Sequence, residues 1–188
     1  MIIYFSYFLQ ITHELIDDFR NHGDKYFNPR THLSKATLNI IAFFLMGMKF
    51  SEGDELFNKF LRYDRWLMQL LSITGKHAIV DSFPWLQYFG NDTAKQFKAL
   101  NKLLDEMYVA SKEVVNNAEE DSMSILAELM TLAKNGKIYG GEKRMIKTFS
   151  NMLQGGMSTT RSTLFSFINI LSQNTDIQDK LQVINVIF

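Results

Sequence analysis

The run Gln154-Gly155-Gly156-Met157-Ser158-Thr159-Thr160 is where this sequence could do chemistry. It interrupts the apolar periodicity of one long helix. Each glycine there costs about 1 kcal/mol relative to alanine, and β-branched threonines do not favour a helix either. Gly155 and Thr159 are four residues apart, as are Gly156 and Thr160, so each pair shares a helix face. A face without Cβ lets a flat ligand lie against the backbone. A threonine hydroxyl one turn on can bond the carbonyl four residues back, or release it and loosen the helix. Such a notch suits a cofactor with oxygen handled beside it. The same residues fit a second use, in which the glycines only let a neighbouring helix approach closely.

Other constellations carry less. His13, His22, His32 and His77 show no H-x-x-x-H or mixed carboxylate spacing, so the sequence offers no metal site and they read as surface or satisfied polar residues. Glu119-Glu120-Asp121 reads as a solvated link. No phosphate-binding loop or dinucleotide fingerprint is present, because Gly155-Gly156 lies within a helix and not after a strand. The 188 residues contain no cysteine, which excludes a disulfide framework, a thiolate metal ligand and a thiol nucleophile. Lys+Arg and Asp+Glu are 20 each, and that balance argues against nucleic acid or an acidic membrane surface as partner.

The elements that must position the notch are helical throughout. Phe5, Phe8, Leu9, Thr12, Leu15, Ile16 and Phe19 follow an i, i+3, i+4 stripe that stops before Gly23. Asn28-Pro29 marks a turn, and a helix over about 31–47 is apolar on most sides, as in the centre of a larger protein. Asp54 is an N-cap for a third helix, with Phe57, Phe60, Leu61, Asp64, Leu67, Leu70 and Leu71 along one side. The stretch 83–89 around Pro84 reads as a packed loop. An amphipathic helix starts at Asp92 or Thr93, a shorter one spans Ser122 to Lys134, and the last extends from about Glu142 to Ser172. The expected fold is all-α, with about six to seven helices. Met1–Gln10 lacks a basic lead-in, and the apolar run between Lys35 and Lys49 has 13 residues, so neither a targeting segment nor a transmembrane span is expected.

The stretch FSNMLQGGMSTTRSTLFSFINILSQNTDIQDKLQ resembles the long central helix of the cytochromes P-450, the haem-thiolate monooxygenases. That helix carries Ala/Gly-Gly-x-Asp/Glu-Thr-Thr/Ser, which Gly155, Gly156, Thr159 and Thr160 match. Asn174-Thr175-Asp176-Ile177-Gln178 stands where the family's next helix begins. ATLNIIAFFLMGMKF, VDSFPWLQYFGNDTAKQFKALNK and DSMSILAELMTLAK resemble further family segments in the same order, so the likeness covers about residues 25 to 182.

The resemblance implies a single partial domain over residues 1–188, taken from the middle of the family fold and ending just after the oxygen-activation helix. It implies haem as cofactor, a lipophilic steroid or xenobiotic substrate of the microsomal branch, an NADPH-cytochrome reductase as electron donor, and residence at the endoplasmic reticulum membrane. Gly155, Gly156 and Thr160 would face the haem and Thr159 would orient the hydrogen-bond network. Residues 70–79 and 149–153 would contribute to the substrate roof. Ser158 stands where the family carries the acid that helps deliver protons during oxygen activation. A serine holds no charge near neutral pH and is a poorer proton source. The family's cysteine loop and Glu-x-x-Arg helix would lie beyond Phe188. The chain on its own is therefore expected to be inactive. The alternative is a helical ligand-binding or interaction module that uses the same scaffold without catalysis.

Overall fold

The computed structural model describes residues 2–23, 25–51, 53–71, 92–118 and 124–187. These residues are helical with no strand among them, as the periodicity predicts. In chain order the helices are α1 (Ile2–His22), α2 (Arg30–Met46), α3 (Glu55–Leu71), α4 (Asp92–Asn117), α5 (Ile125–Lys134) and α6 (Gly141–Leu153). A π-helical turn over Gln154–Ser158 follows, then α7 (Thr159–Gln173) and α8 (Thr175–Ile187). The loop reading around Pro84, the link 119–121 and His77 lie outside the described residues.

Local signals set most boundaries. Asp54 Oδ1 accepts from the backbone N–H of Leu56 at 2.8 Å and of Phe57 at 3.3 Å, capping α3. Ser124 caps α5 by accepting from Ala127 N–H at 3.1 Å. This start lies two residues past Ser122. Gly47 ends α2 in the left-handed region at φ 72°, and its N–H donates to Phe43 O. Beyond it, the buried Asn39 side chain accepts from Phe50 N–H at 2.8 Å and fixes the chain as it leaves α2.

The core forms where α2, α3, α4, α5, α6 and the π-turn converge. α2 is buried on most sides, as its composition demands, through Leu33, Leu38, Ala42, Leu45 and Met46. Phe149 of α6 is fully buried at the centre, its ring 5.6 Å from Tyr108 and 6.2 Å from Phe60. α4 turns Leu100, Leu103, Leu104, Met107 and Tyr108 inward and leaves its lysine-rich side to solvent.

On α1 the stripe of Phe5, Phe8, Leu9 and Ile16 faces outward, with Phe5 64 % exposed, whereas Ile11 is buried. α1 packs on α2 through Tyr4 and Tyr7, and Phe19 of the stripe meets His32 edge-on. The Tyr7 ring stacks on Phe43 at 3.8 Å, and Tyr4 lies parallel to Phe44 at 5.0 Å. Stacked rings of this kind add to area burial.

Candidate functional site

The rod from α6 to α7 passes through a π-turn at the glycines, so the sequence is spaced for a loosened turn and not for a plain helix. π-turns are rare, and they widen the backbone ladder by one residue. Here α3 holds the turn at both ends with two consecutive side chains. At its start, Gln154 Nε2 donates to Ser150 Oγ at 2.7 Å and to Tyr63 OH at 3.2 Å, and Tyr63 OH and Ser150 Oγ are 2.9 Å apart. At its end, the Ser158 hydroxyl donates to Asp64 Oδ1, and Arg161 Nη1 donates to Asp64 Oδ2. Asp64, Ser158 and Arg161 are all buried, at 3 %, 4 % and 8 % exposure. A buried carboxylate is tolerated because each of its oxygens has a donor and one of those donors carries the opposite charge.

The two glycines do different things. A Cβ on Gly156 would sit 2.0 Å from Ile41 Cδ1 and 2.7 Å from Ile41 Cγ1, so this glycine lets α2 come close. A Cβ on Gly155 would meet nothing within 4 Å. Thr159 is exposed, and its Oγ1 donates to the Gly155 carbonyl at 2.7 Å. The back-bond expected for this pair is therefore formed. Thr160 is exposed as well. The structure brings Gly155 and Thr159 together on the open side and turns Gly156 and Ser158 inward, toward α2 and α3 respectively. Phe149 and Leu153, expected at a substrate roof, are fully buried in the core. The other roof segment, 72–79, lies outside the described residues.

The sequence places Asp64 on one side of α3 among apolar residues, without a role, and gives Arg161 none. The available signal was an acid among inward-facing apolar residues, since a carboxylate at such a position needs a cationic partner. The histidines cluster more than their spacing suggested. His22 Nε2 and His32 Nε2 are 3.1 Å apart, and His32 Nδ1 is 3.3 Å from Asp18 Oδ2. Among the described residues no three His, Asp or Glu side chains are arranged to hold a metal ion.

Among the described residues the scaffold is all-helical, built around a π-turn with one open glycine. The chain belongs to the cytochrome P450 family, whose profile matches residues 1–183. Among its relatives, a probable cytochrome P450 513C1 of Dictyostelium discoideum is 29% identical over 184 residues, covering 89% of this chain and 36% of that protein. The steroid 17-alpha-hydroxylase/17,20 lyase of Mesocricetus auratus is 24% identical, covering 89% and 35% respectively. That of Gallus gallus is 24% identical, covering 80% and 31%. The chain thus spans about a third of the length of the curated relatives it matches.

The cofactor that this family implies is haem. The residues present fit one wall of its site. Gly155 leaves room for a flat ring against the backbone, and the Thr159 hydroxyl lies at the edge of that opening. No thiolate ligand is among the 188 residues.

Proposed function

We propose that these residues form the oxygen-side wall of a haem monooxygenase that hydroxylates lipophilic substrates, of steroid or xenobiotic type, within one partial domain covering residues 1–188. The observation that carries this reading is the open Cβ position of Gly155 beside the Thr159 hydroxyl, in a π-turn fixed by α3. The relatives whose names state a steroid hydroxylase activity support the substrate class. When bound, haem supplies oxygen activation using electrons from a reductase, here taken to be an NADPH-cytochrome reductase at the endoplasmic reticulum membrane. Among the described residues no helix is long and apolar enough to cross a membrane.

Each residue of the notch has a distinct task. Gly155, with no Cβ and open space beside it, would be the residue that holds the flat face of the haem. Thr159 keeps its hydroxyl at the notch by bonding the Gly155 carbonyl, and can release that bond to donate elsewhere. Thr160 is exposed one residue further on and is the remaining candidate for haem contact. Gly156 works at the back, where its missing Cβ lets Ile41 brace the turn. Ser158 connects the turn to the buried Asp64–Arg161 pair. The chemistry that haem would supply requires a thiolate ligand, and the 188 residues contain no cysteine, so the chain by itself is inactive.

Titration of the purified chain with ferric haem tests the reading. A saturable change in the Soret band is expected, with affinity at least tenfold lower in Gly155→Phe at unchanged helicity. Equal affinity in the two proteins would remove the notch from haem contact. A ferrous–CO band at the thiolate position would overturn the inactivity.

A further inference from the structure

The corner where α1 hands over to α2 brings two histidines together. His22 is the last residue of α1 and His32 lies in the first turn of α2, and their Nε2 atoms are 3.1 Å apart. Each ring is held from behind by a separate partner. His32 Nδ1 is 3.3 Å from Asp18 Oδ2, which sits one turn before His22 on α1. A carboxylate only accepts near neutral pH, so His32 carries its proton on Nδ1 and leaves the Nε2 lone pair free toward His22. The His22 ring lies flat on Phe27, with centroids 4.1 Å apart and planes 8° from parallel. The two imidazole planes cross at 80°, so both can aim an in-plane nitrogen at one point without overlapping.

We propose that His22 and His32 hold a divalent transition-metal ion through their Nε2 atoms, with Asp18 as the carboxylate behind His32. An ion about 2.0–2.1 Å from each nitrogen would see the 3.1 Å separation at an angle of about 98°, between square and tetrahedral coordination. A pair that served only to join two helices could use either tautomer of His32. The Asp18 contact selects the one with a free Nε2, the arrangement that orients metal-bound histidines. Imidazole nitrogen suits zinc, copper(II) or nickel(II), whereas magnesium and calcium take oxygen ligands. Among the described residues no third side chain completes a ligand set, so water fills the remaining positions. The His32 side chain is 26 % exposed and lines a cleft of about 230 Å³, which gives water and the ion access. Bound there, the ion ties the end of α1 to the start of α2 across a ten-residue loop and stabilises the docking of α1. None of these residues belongs to the π-turn, so the site stands apart from the haem reading.

Isothermal titration of the 188-residue chain with zinc chloride at neutral pH tests this. One zinc per chain is expected, bound at least tenfold more weakly in His22→Phe and in His32→Phe and with unchanged affinity in His13→Gln. Asp18→Asn keeps both ligands and is expected to weaken binding by between about tenfold and a hundredfold, as loss of the carboxylate behind a metal-bound histidine does. Zinc at a hundredfold excess over its Kd is expected to raise the wild-type Tm by about 5 °C or more and to leave that of His22→Phe unchanged. Magnesium chloride is expected to do neither. Equal zinc affinity in wild type and His22→Phe would place the ion elsewhere and overturn the site. One zinc per two chains would overturn it too, since the ion would then join copies and not helices. If His32→Phe loses helicity, His22→Phe carries the test, because a phenyl ring keeps the stacking on Phe27.

Discussion

Gly155 and Gly156 are neighbours of identical type whose substitution should have unlike consequences. A methyl group at 156 would overlap Ile41, a half-buried residue of α2 packed against the π-turn, so Gly156→Ala is expected to destabilise the chain by about 1–3 kcal/mol, the usual cost of overpacking. Trimming the obstacle with Ile41→Ala in the same chain should return part of that loss, and a pair of denaturant melts measures it as a coupling energy. Nothing within 4 Å opposes a methyl at 155. Both glycines stood out from the sequence because each violates helix propensity, but spacing alone could not say which one faced a helix and which faced open space. That depends on where α2 lies, a contact more than a hundred residues away in the chain. Asp64 shows the same limit from the other side. Its inward position on α3 was legible, whereas its partners Ser158 and Arg161 arrive from a distant helix.

At the scale of elements, caps and breaks were legible because they are local. Asp54, Gly47 and the turn at Asn28-Pro29 act on backbone groups within a few residues. The docking of α1 was not, because both of its faces carry aromatic or branched residues, and it is the packing of Tyr4 and Tyr7 on Phe43 and Phe44 that distinguishes one. That docking has an ionic component at the far end of α2, where Lys49 Nζ is 2.5 Å from Glu14 Oε1. The hydrogen bond from Lys49 holds the Glu14 carboxyl below its ordinary range, against a smaller opposing effect of burial. A carboxylate depressed in the folded state stabilises above its unfolded value, about 4.3, and loses that contribution as pH falls through the folded value. Wild type is therefore expected to exceed Lys49→Met in Tm at pH 7 by an amount worth about 0.5 kcal/mol, typical of a solvent-screened pair, and to match it near pH 3.

For the whole molecule, the distribution of apolar surface is uneven. The core between α2 and α6 is closed, yet Phe5 and Phe8 on α1 and Leu164, Phe167 and Ile170 on α7 are 40 % exposed or more. Large exposed apolar side chains grouped on one helix in this way are commonly covered by another segment or another chain. Sedimentation equilibrium of the 188-residue chain is expected to show concentration-dependent association, reduced by Phe167→Lys. A monodisperse monomer with a cooperative melt would instead favour the self-sufficient binding module. The helical class, the element order and the notch could be read from composition and period, but the openness of one flank could not, because it follows from how the long rod is wound. Phe149 and Phe167 are eighteen residues apart, which is five turns of an uninterrupted α-helix and would put both on one side. One is fully buried and the other 59 % exposed. The widened turn between them adds a residue and rotates everything downstream by about 100°. The glycine pair thereby sets the phase of the helix that follows, and shortening the turn by one residue would swing a different face of α7 toward the core.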